Sequence, residues 1–407
     1  MNLLEKFDKI QKVLFRPSTE NLWKRNLIIL AAAQFIAMVG MNGLVPFLPL
    51  FVLELGVRDP VQAKFWSSMV FAGPYFLSIF AVPVWGMLGD RYGQKKMVIR
   101  AIFGLALAVF LMGFSVNVHQ LFALRVFQGA SSGFIAAALA FVSKNTPKNR
   151  NGYAIGMLQS ASSAGIIIGP FFGGILSDAS GVRSVFIIVA MLCVISGILI
   201  IGFVKEQRVE ATNTQSKVRD NLKTVIHNRE MSKIILLITL SQMAILLSNP
   251  IFPYYVSRLG APQNLLSTIT GLLVATVGIF SIIFAPYWGR KNDTTAYSKI
   301  FSPAVFIAGC ASLLHVISNH YLWLFPIRAV VGVFFAAIAP SLYSALSYRA
   351  QESNKGGIMG IASSANLFGA LLSYLSCSVI VSHLDMVWTF VVSGVILIML
   401  SIWAKVS

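Results

Sequence analysis

Twelve apolar runs of roughly 20 residues, each bounded by charge, glycine or proline, constrain this chain more than any other feature of its sequence. Wound as a helix, a run of that length crosses the hydrocarbon core of a bilayer, where every backbone N–H and C=O must be paired within the segment. Membrane strands would instead show alternating segments of about ten residues, so a barrel is excluded. The composition agrees. Of 407 residues 57% are hydrophobic and 11% charged, and a mean hydropathy of +0.77 leaves too little polar surface for a water-soluble fold. The expected class is an all-α membrane protein with twelve transmembrane helices.

The runs place six spans at about 26–52, 65–88, 98–115, 120–142, 154–176 and 184–204. Six more fall at about 233–257, 265–287, 298–318, 321–343, 356–380 and 386–404. Residues 1–25 carry Leu3, Leu4, Phe7, Ile10 and Leu14 at helical spacing, with Lys6, Lys9, Lys12 and Arg16 between them. That pattern suits a short amphipathic helix on an anionic inner leaflet. It is not a signal peptide, because the first apolar run begins too late and lacks a small-residue cleavage pattern. The expected division is therefore an amphipathic segment at 1–25, a six-helix bundle at 26–204, a polar linker at 205–232 and a second bundle at 233–404.

A net charge of +18 would suggest a nucleic-acid partner in a soluble protein. Here the charge is topological. Of 32 Lys and Arg residues, 24 fall on one side of the spans, and only Arg58, Lys64, Arg183 and Arg258 fall on the other. The positive-inside rule puts both termini and the linker in the cytoplasm, with the chain in the inner, cytoplasmic membrane. Cys193, Cys310 and Cys377 all lie inside apolar runs as packing residues, so neither a disulfide nor a metal site is expected.

The two blocks of six repeat each other. Pro83, Trp85, Gly86 and Asp90 return as Pro286, Trp288, Gly289 and Asp293, at an offset of 203. Pro46, Pro49, Val52, Leu55 and Gly56 return as Pro250, Pro253, Val256, Leu259 and Gly260, at an offset of 204. Arg125 matches Arg328, and Gly156 matches Gly360. A duplicated bundle of this kind carries its polar site at the interface between the halves, which is transporter architecture.

Three motifs then point to a family. Gly86, Leu88, Asp90, Arg91, Gly93 and Lys95 lie between spans two and three; Leu121, Arg125, Gln128 and Gly129 lie on span four; Gly165, Gly169, Pro170, Gly173 and Gly174 lie on span five. Together they resemble the signatures of the major facilitator superfamily, and within it the twelve-span drug:proton antiporters of the multidrug and tetracycline exporter type. Gln94 stands where a basic residue is usual. The resemblance implies the major facilitator fold, with Asp90 facing the start of span eleven near Gly356 and Gly357. Such a contact would serve as a conformational gate that stabilises the outward-facing state. It also implies a span-five antiporter motif and a role for the Arg125 motif in proton transfer. On physical grounds, Gly165 and Gly169 form a small-xxx-small face and Pro170 frees a carbonyl and bends the helix.

The middle of every span lacks Asp and Glu. Exporters of cationic drugs in the resembling family often carry an acid in span one, about where Asn42 stands. Glu54, Asp178 and Arg125 are the candidates for coupling, and His315 is more simply a structural hydrogen-bonder. A substrate cavity is expected from Gln34, Met38 and Asn42 on span one, Gln128 and Ser132 on span four, Gln242 and Asn249 on span seven and Arg328 on span ten. Two arginines in such a cavity favour neutral amphipathic or anionic substrates over cations.

The expected function is secondary active transport by alternating access, as proton-coupled efflux of small amphipathic compounds. The alternative is a dedicated carrier, import or export, of one substrate such as a siderophore, sugar or lipid-linked molecule. No catalytic elbow, phosphate loop or metal-ligand spacing appears, so no enzyme and no cofactor are expected. The expected partners are a small-molecule substrate, protons and the lipid bilayer, with no nucleic acid and a monomer as the working unit.

Overall fold

The computed structural model describes residues 22–147, 150–206, 218–350 and 355–405. The expected amphipathic segment falls almost wholly outside the described residues. No strand occurs among the described residues, and twelve helices are long and apolar enough to cross a membrane. Their ends follow local chemistry. Span two (Pro60–Tyr92) opens on Asp59, whose carboxylate accepts the Gln62 N–H at 2.8 Å with Pro60 in the first turn. Asn117 and Asn228 cap spans four and seven in the same way, accepting from Gln120 and Met231 at 2.9 and 3.0 Å. Gly93, at φ +102°, makes the single-residue turn into span three (Gln94–Gly113).

Three spans expected as continuous are broken. Span one runs from Leu22 to Gly43 and resumes as Leu48–Glu54; span seven runs from Arg229 to Leu246, passes through a 3-10 turn at Asn249–Ile251 and resumes as Phe252–Arg258. Pro49 and Pro253, members of the repeated pair, sit in the first turn of each resumed helix, where their missing N–H is harmless. Span four breaks between Val118–Ala130 and Phe134–Asn145, with Gly133 at φ +108°. Its counterpart, span ten (Leu324–Arg349), is unbroken. Part of the expected linker is helical, at Val218–His227.

The repeat seen in sequence is also a repeat of contacts. Trp85 Nε1 donates to the Ala130 carbonyl at 2.7 Å, and Trp288 Nε1 donates to the Val333 carbonyl at the same distance. Gly129 lies under the Pro74 carbonyl where no Cβ would fit, and Gly332 lies under that of Val277 at a built-Cβ distance of 2.5 Å. These pairs are separated by the repeat length, so each half folds around the same span-two/span-four or span-eight/span-ten crossing.

The end bearing Lys95, Lys96, Lys144, Lys299 and Arg349 is called here the basic end, and the opposite end the far end. Among the described residues, hydrogen bonds between the halves lie from the middle to the far end. Tyr254 OH donates to the Pro49 carbonyl at 2.7 Å and lies 3.0 Å from Ser67 Oγ; Ser68 Oγ donates to Cys377 Sγ at 3.2 Å; Tyr374 packs on Phe71 and Tyr75 at ring distances of 5.5 and 5.6 Å. At the basic end a Cβ added to Gly86, Gly156, Gly289 or Gly360 would meet nothing within 4 Å. These are spans two, five, eight and eleven, the four that form the seam. The halves are tied at the far end and parted at the basic end.

Candidate functional site

The span-five motif works on two faces. Gly165, Gly169 and Gly173, spaced by one helical turn, face span one: a Cβ on Gly165 would lie 2.5 Å from Met38 Cβ, and one on Gly169 would lie 2.8 Å from the Val39 carbonyl. At Gly173 the Gly43 carbonyl fills the space. Pro170 and Gly174 point the other way, across the seam. The Pro170 carbonyl occupies the place of a side chain at Gly271 of span eight, and Gly174 lies against the backbone of Ser267 and Thr268. Small residues therefore bring span five close both to its own half and to the other.

Deeper in the seam sits Arg125. It is buried, and its guanidinium donates from Nε to the Val70 carbonyl at 3.0 Å and from Nη1 to Gln128 Oε1 at 2.7 Å. Tyr75 and Tyr374 lie in its electrostatic field, and Asn249 of span seven adjoins the Tyr374 hydroxyl. Four polar side chains, Tyr75, Gln128, Asn249 and Tyr374 from spans two, four, seven and eleven, thus gather about one cation, and none of the four is a carboxylate. Tyr75 and Tyr374 were not expected from the sequence. The signal was present, because Tyr374 stands where the repeat places Pro170, the point at which the two span-five-like helices differ.

The other expected cavity residues divide. Gln34 is fully buried, with its Nε2 donating to Ser162 Oγ of span five, and Met38 packs on Gly165, so both join the span-one/span-five crossing. Asn42 donates to its own helix at the Met38 carbonyl, 2.9 Å away. Ser132 lies in the break of span four, where its carbonyl accepts from Arg100 Nη2 at 2.7 Å, and the Arg100 guanidinium stacks 3.7 Å from the Trp85 ring. Gln242 abuts Gly369, repeating the Met38–Gly165 contact in the second half. Arg328 lies over the Phe252 ring at 3.6 Å, with His315 in its field and no Gln128 equivalent beside it, because Val331 stands there. His315 Nδ1 bonds the Ala311 carbonyl at 3.0 Å and its ring stacks on Phe390.

In the stretch from Gly86 to Lys95, the side chain of Asp90 lies outside the described residues, and Arg91 is exposed beside the Tyr92 ring. The end of the stretch is held by a residue that sequence reasoning passed over. Glu206, just after span six, accepts from Gln94 N at 2.7 Å and Lys95 N at 3.2 Å, capping span three, while Lys95 Nζ donates to the Ile201 carbonyl at 3.0 Å. Gly356 falls in the first turn of span eleven, and the Asn221 side chain of the linker helix lies against Gly357. At the far end, Glu54 is exposed in the field of Arg183, and Asp178 reaches across the seam to Ser267 and Thr268.

Two six-helix halves sharing a polar cluster at their seam, tied at one end and parted at the other, define a membrane carrier. The sequence profile of the Major Facilitator Superfamily matches residues 30–269 and 234–406, and the chain belongs to that superfamily, which is made of transporters and not of enzymes. It is 30% identical to the multidrug resistance protein MdtG of Proteus mirabilis over 342 residues, 83% of this chain and 84% of the relative. It is 28% identical to the staphyloferrin B transporter of Staphylococcus aureus over 381 residues, 93% and 91% of the two chains. Among solved structures, a mutant of the nucleoside transporter NupG superposes with a TM-score of 0.79 at 10% identity, covering 93% of this chain and 98% of the other. A bacterial homologue of the human lysosomal transporter Spinster, solved inward-facing and unoccupied, gives 0.77 at 11% identity, covering 95% and 97%.

Proposed function

We propose that this transporter exports small amphipathic molecules that are neutral or anionic, by alternating access driven by proton antiport, with the basic end in the cytoplasm. The observation that carries the substrate class is Arg125, a buried cation at the seam facing Tyr75, Tyr374 and Asn249 with no carboxylate among them. A cation held in a low-dielectric cluster attracts an anion or an electron-rich group and repels a second cation. The 24-to-4 split of Lys and Arg supports the orientation. The MdtG relatives support export. The state tied at the far end is then the one that loads from the cytoplasm.

The test is transport in proteoliposomes with and without an imposed pH gradient, using anionic, neutral and permanently cationic amphipaths. Gradient-dependent movement of the anionic and neutral compounds is expected; carriage of permanent cations alone would refute the substrate class. The staphyloferrin B relative favours a second reading, a dedicated carrier of one substrate such as a siderophore. Saturation by a single compound, with no competition from the rest of the panel, would select it.

A further inference from the structure

Span eight (Leu266–Thr294) begins without a cap of its own. Its counterpart, span two, opens on Asp59, but the second half has Pro262 at the matching place, and Leu265, the residue before span eight, offers no acceptor. The free first-turn amides are met from the other half. Asp178, in the last turn of span five, accepts the Thr268 N–H at 2.8 Å, the Thr268 hydroxyl at 2.7 Å and the Ser267 N–H at 3.3 Å. Next to it Ser177 Oγ lies 3.4 Å from Ser267 Oγ, and Gly174 lets the two backbones close up.

We infer that Asp178 is the positioning residue that holds the far end shut. A carboxylate suits the place because the first-turn N–H groups and the helix dipole both favour negative charge. A cap carried on a helix's own N-terminal residue persists in every state of a transporter. This one bridges two bodies that must separate for the far end to open, so it exists only while that end is closed. When the halves part, span eight loses its cap and Asp178 returns to water. The bond therefore biases the equilibrium between states by the free energy of the cap. The inference requires alternating access and no particular substrate or driving ion.

The protein contains its own reporter. Cys377 is fully buried at the far end against Ser68 of the other half. With Cys193→Ala and Cys310→Ala in place, Cys377 is the remaining thiol, and a membrane-impermeant maleimide applied from the far side reads the opening of that end without any substrate. Asp178→Ala should label about five-fold faster than the parent, the factor that corresponds to loss of a typical cap. Leu265 is 47% exposed, so Leu265→Asp gives span eight a cap within its own half. The double variant Asp178→Ala/Leu265→Asp keeps the helix capped while the gate is untied, and it too should label fast. This also serves if Asp178→Ala alone does not fold. Labelling of the double variant at the parent rate would overturn the inference, since Asp178 would then only preserve the helix. Unchanged labelling in Asp178→Ala would overturn it as well. Neither result bears on the substrate class, which the transport panel tests separately.

Discussion

Arg125 and Arg328 occupy matching places in the two halves and have different surroundings. Arg125 is fixed by a carbonyl and by Gln128 and faces the tyrosines of the seam, whereas Arg328 rests on Phe252. Loss of a hydrogen-bonded charge costs about 1.5–3 kcal/mol, so Arg125→Gln should lower kcat/KM for an anionic substrate by roughly 10- to 100-fold. Arg328→Gln should lower it less, which side-by-side initial rates in vesicles will check. The two indole bonds offer a control at the same scale. Trp85→Phe and Trp288→Phe each remove one N–H donor to a carbonyl, and each should cost about 1 kcal/mol. Because the sites share no partner, the double variant should show the sum in denaturation experiments. At Asp385, between spans eleven and twelve, partial burial works upward, but the Val387 N–H and the Arg258 guanidinium outweigh it and hold the carboxyl below its usual range. Its stabilisation is therefore present above the ordinary carboxylate pKa of about 4 and is lost as the pH falls below that value. Asp385→Asn should flatten the acid side of the stability profile, slightly, since the pair is exposed.

Among the helices, the span-five glycines separate packing from permissiveness. A methyl at Gly173 would strike the Gly43 backbone, which cannot rotate away, so Gly173→Ala should destabilise the protein by about 1–3 kcal/mol. Gly86→Ala meets open space and should be neutral or gain up to about 1 kcal/mol from helix propensity. Melting temperatures in detergent will rank the two. Sequence pattern located all twelve spans because apolar length is set by the bilayer and not by neighbours. It missed the breaks in spans one, four and seven, since Pro49, Pro253 and Gly133 are compatible with either a kink or a restart, and packing decides which. It found the small-residue face of span five but could not divide the motif into a side for span one and a side for span eight. Polar residues on span one looked equally suited to a cavity or to a helix crossing. The buried bond from Gln34 to Ser162 shows the crossing.

For the molecule as a whole, the duplication was legible because an offset survives in proline, tryptophan and glycine, residues whose backbone or packing demands are hard to replace. The polar cluster around Arg125 was only half legible, as Tyr75 and Tyr374 come from two different halves and no linear pattern joins them. Which end is tied was not legible at all. It depends on contacts such as Tyr254 with Pro49, made between segments about 200 residues apart. That tie has a mechanical consequence. With alternating access as proposed, a body joined at the far end and parted at the basic end would taper toward one leaflet, and opening the far end would reverse the taper. The bilayer is then a party to the equilibrium, because lipids that pack better around one taper shift the balance by their differential free energy alone. Cys377 labelling should accordingly change with the headgroup size of the surrounding lipid, at constant sequence and with no substrate present.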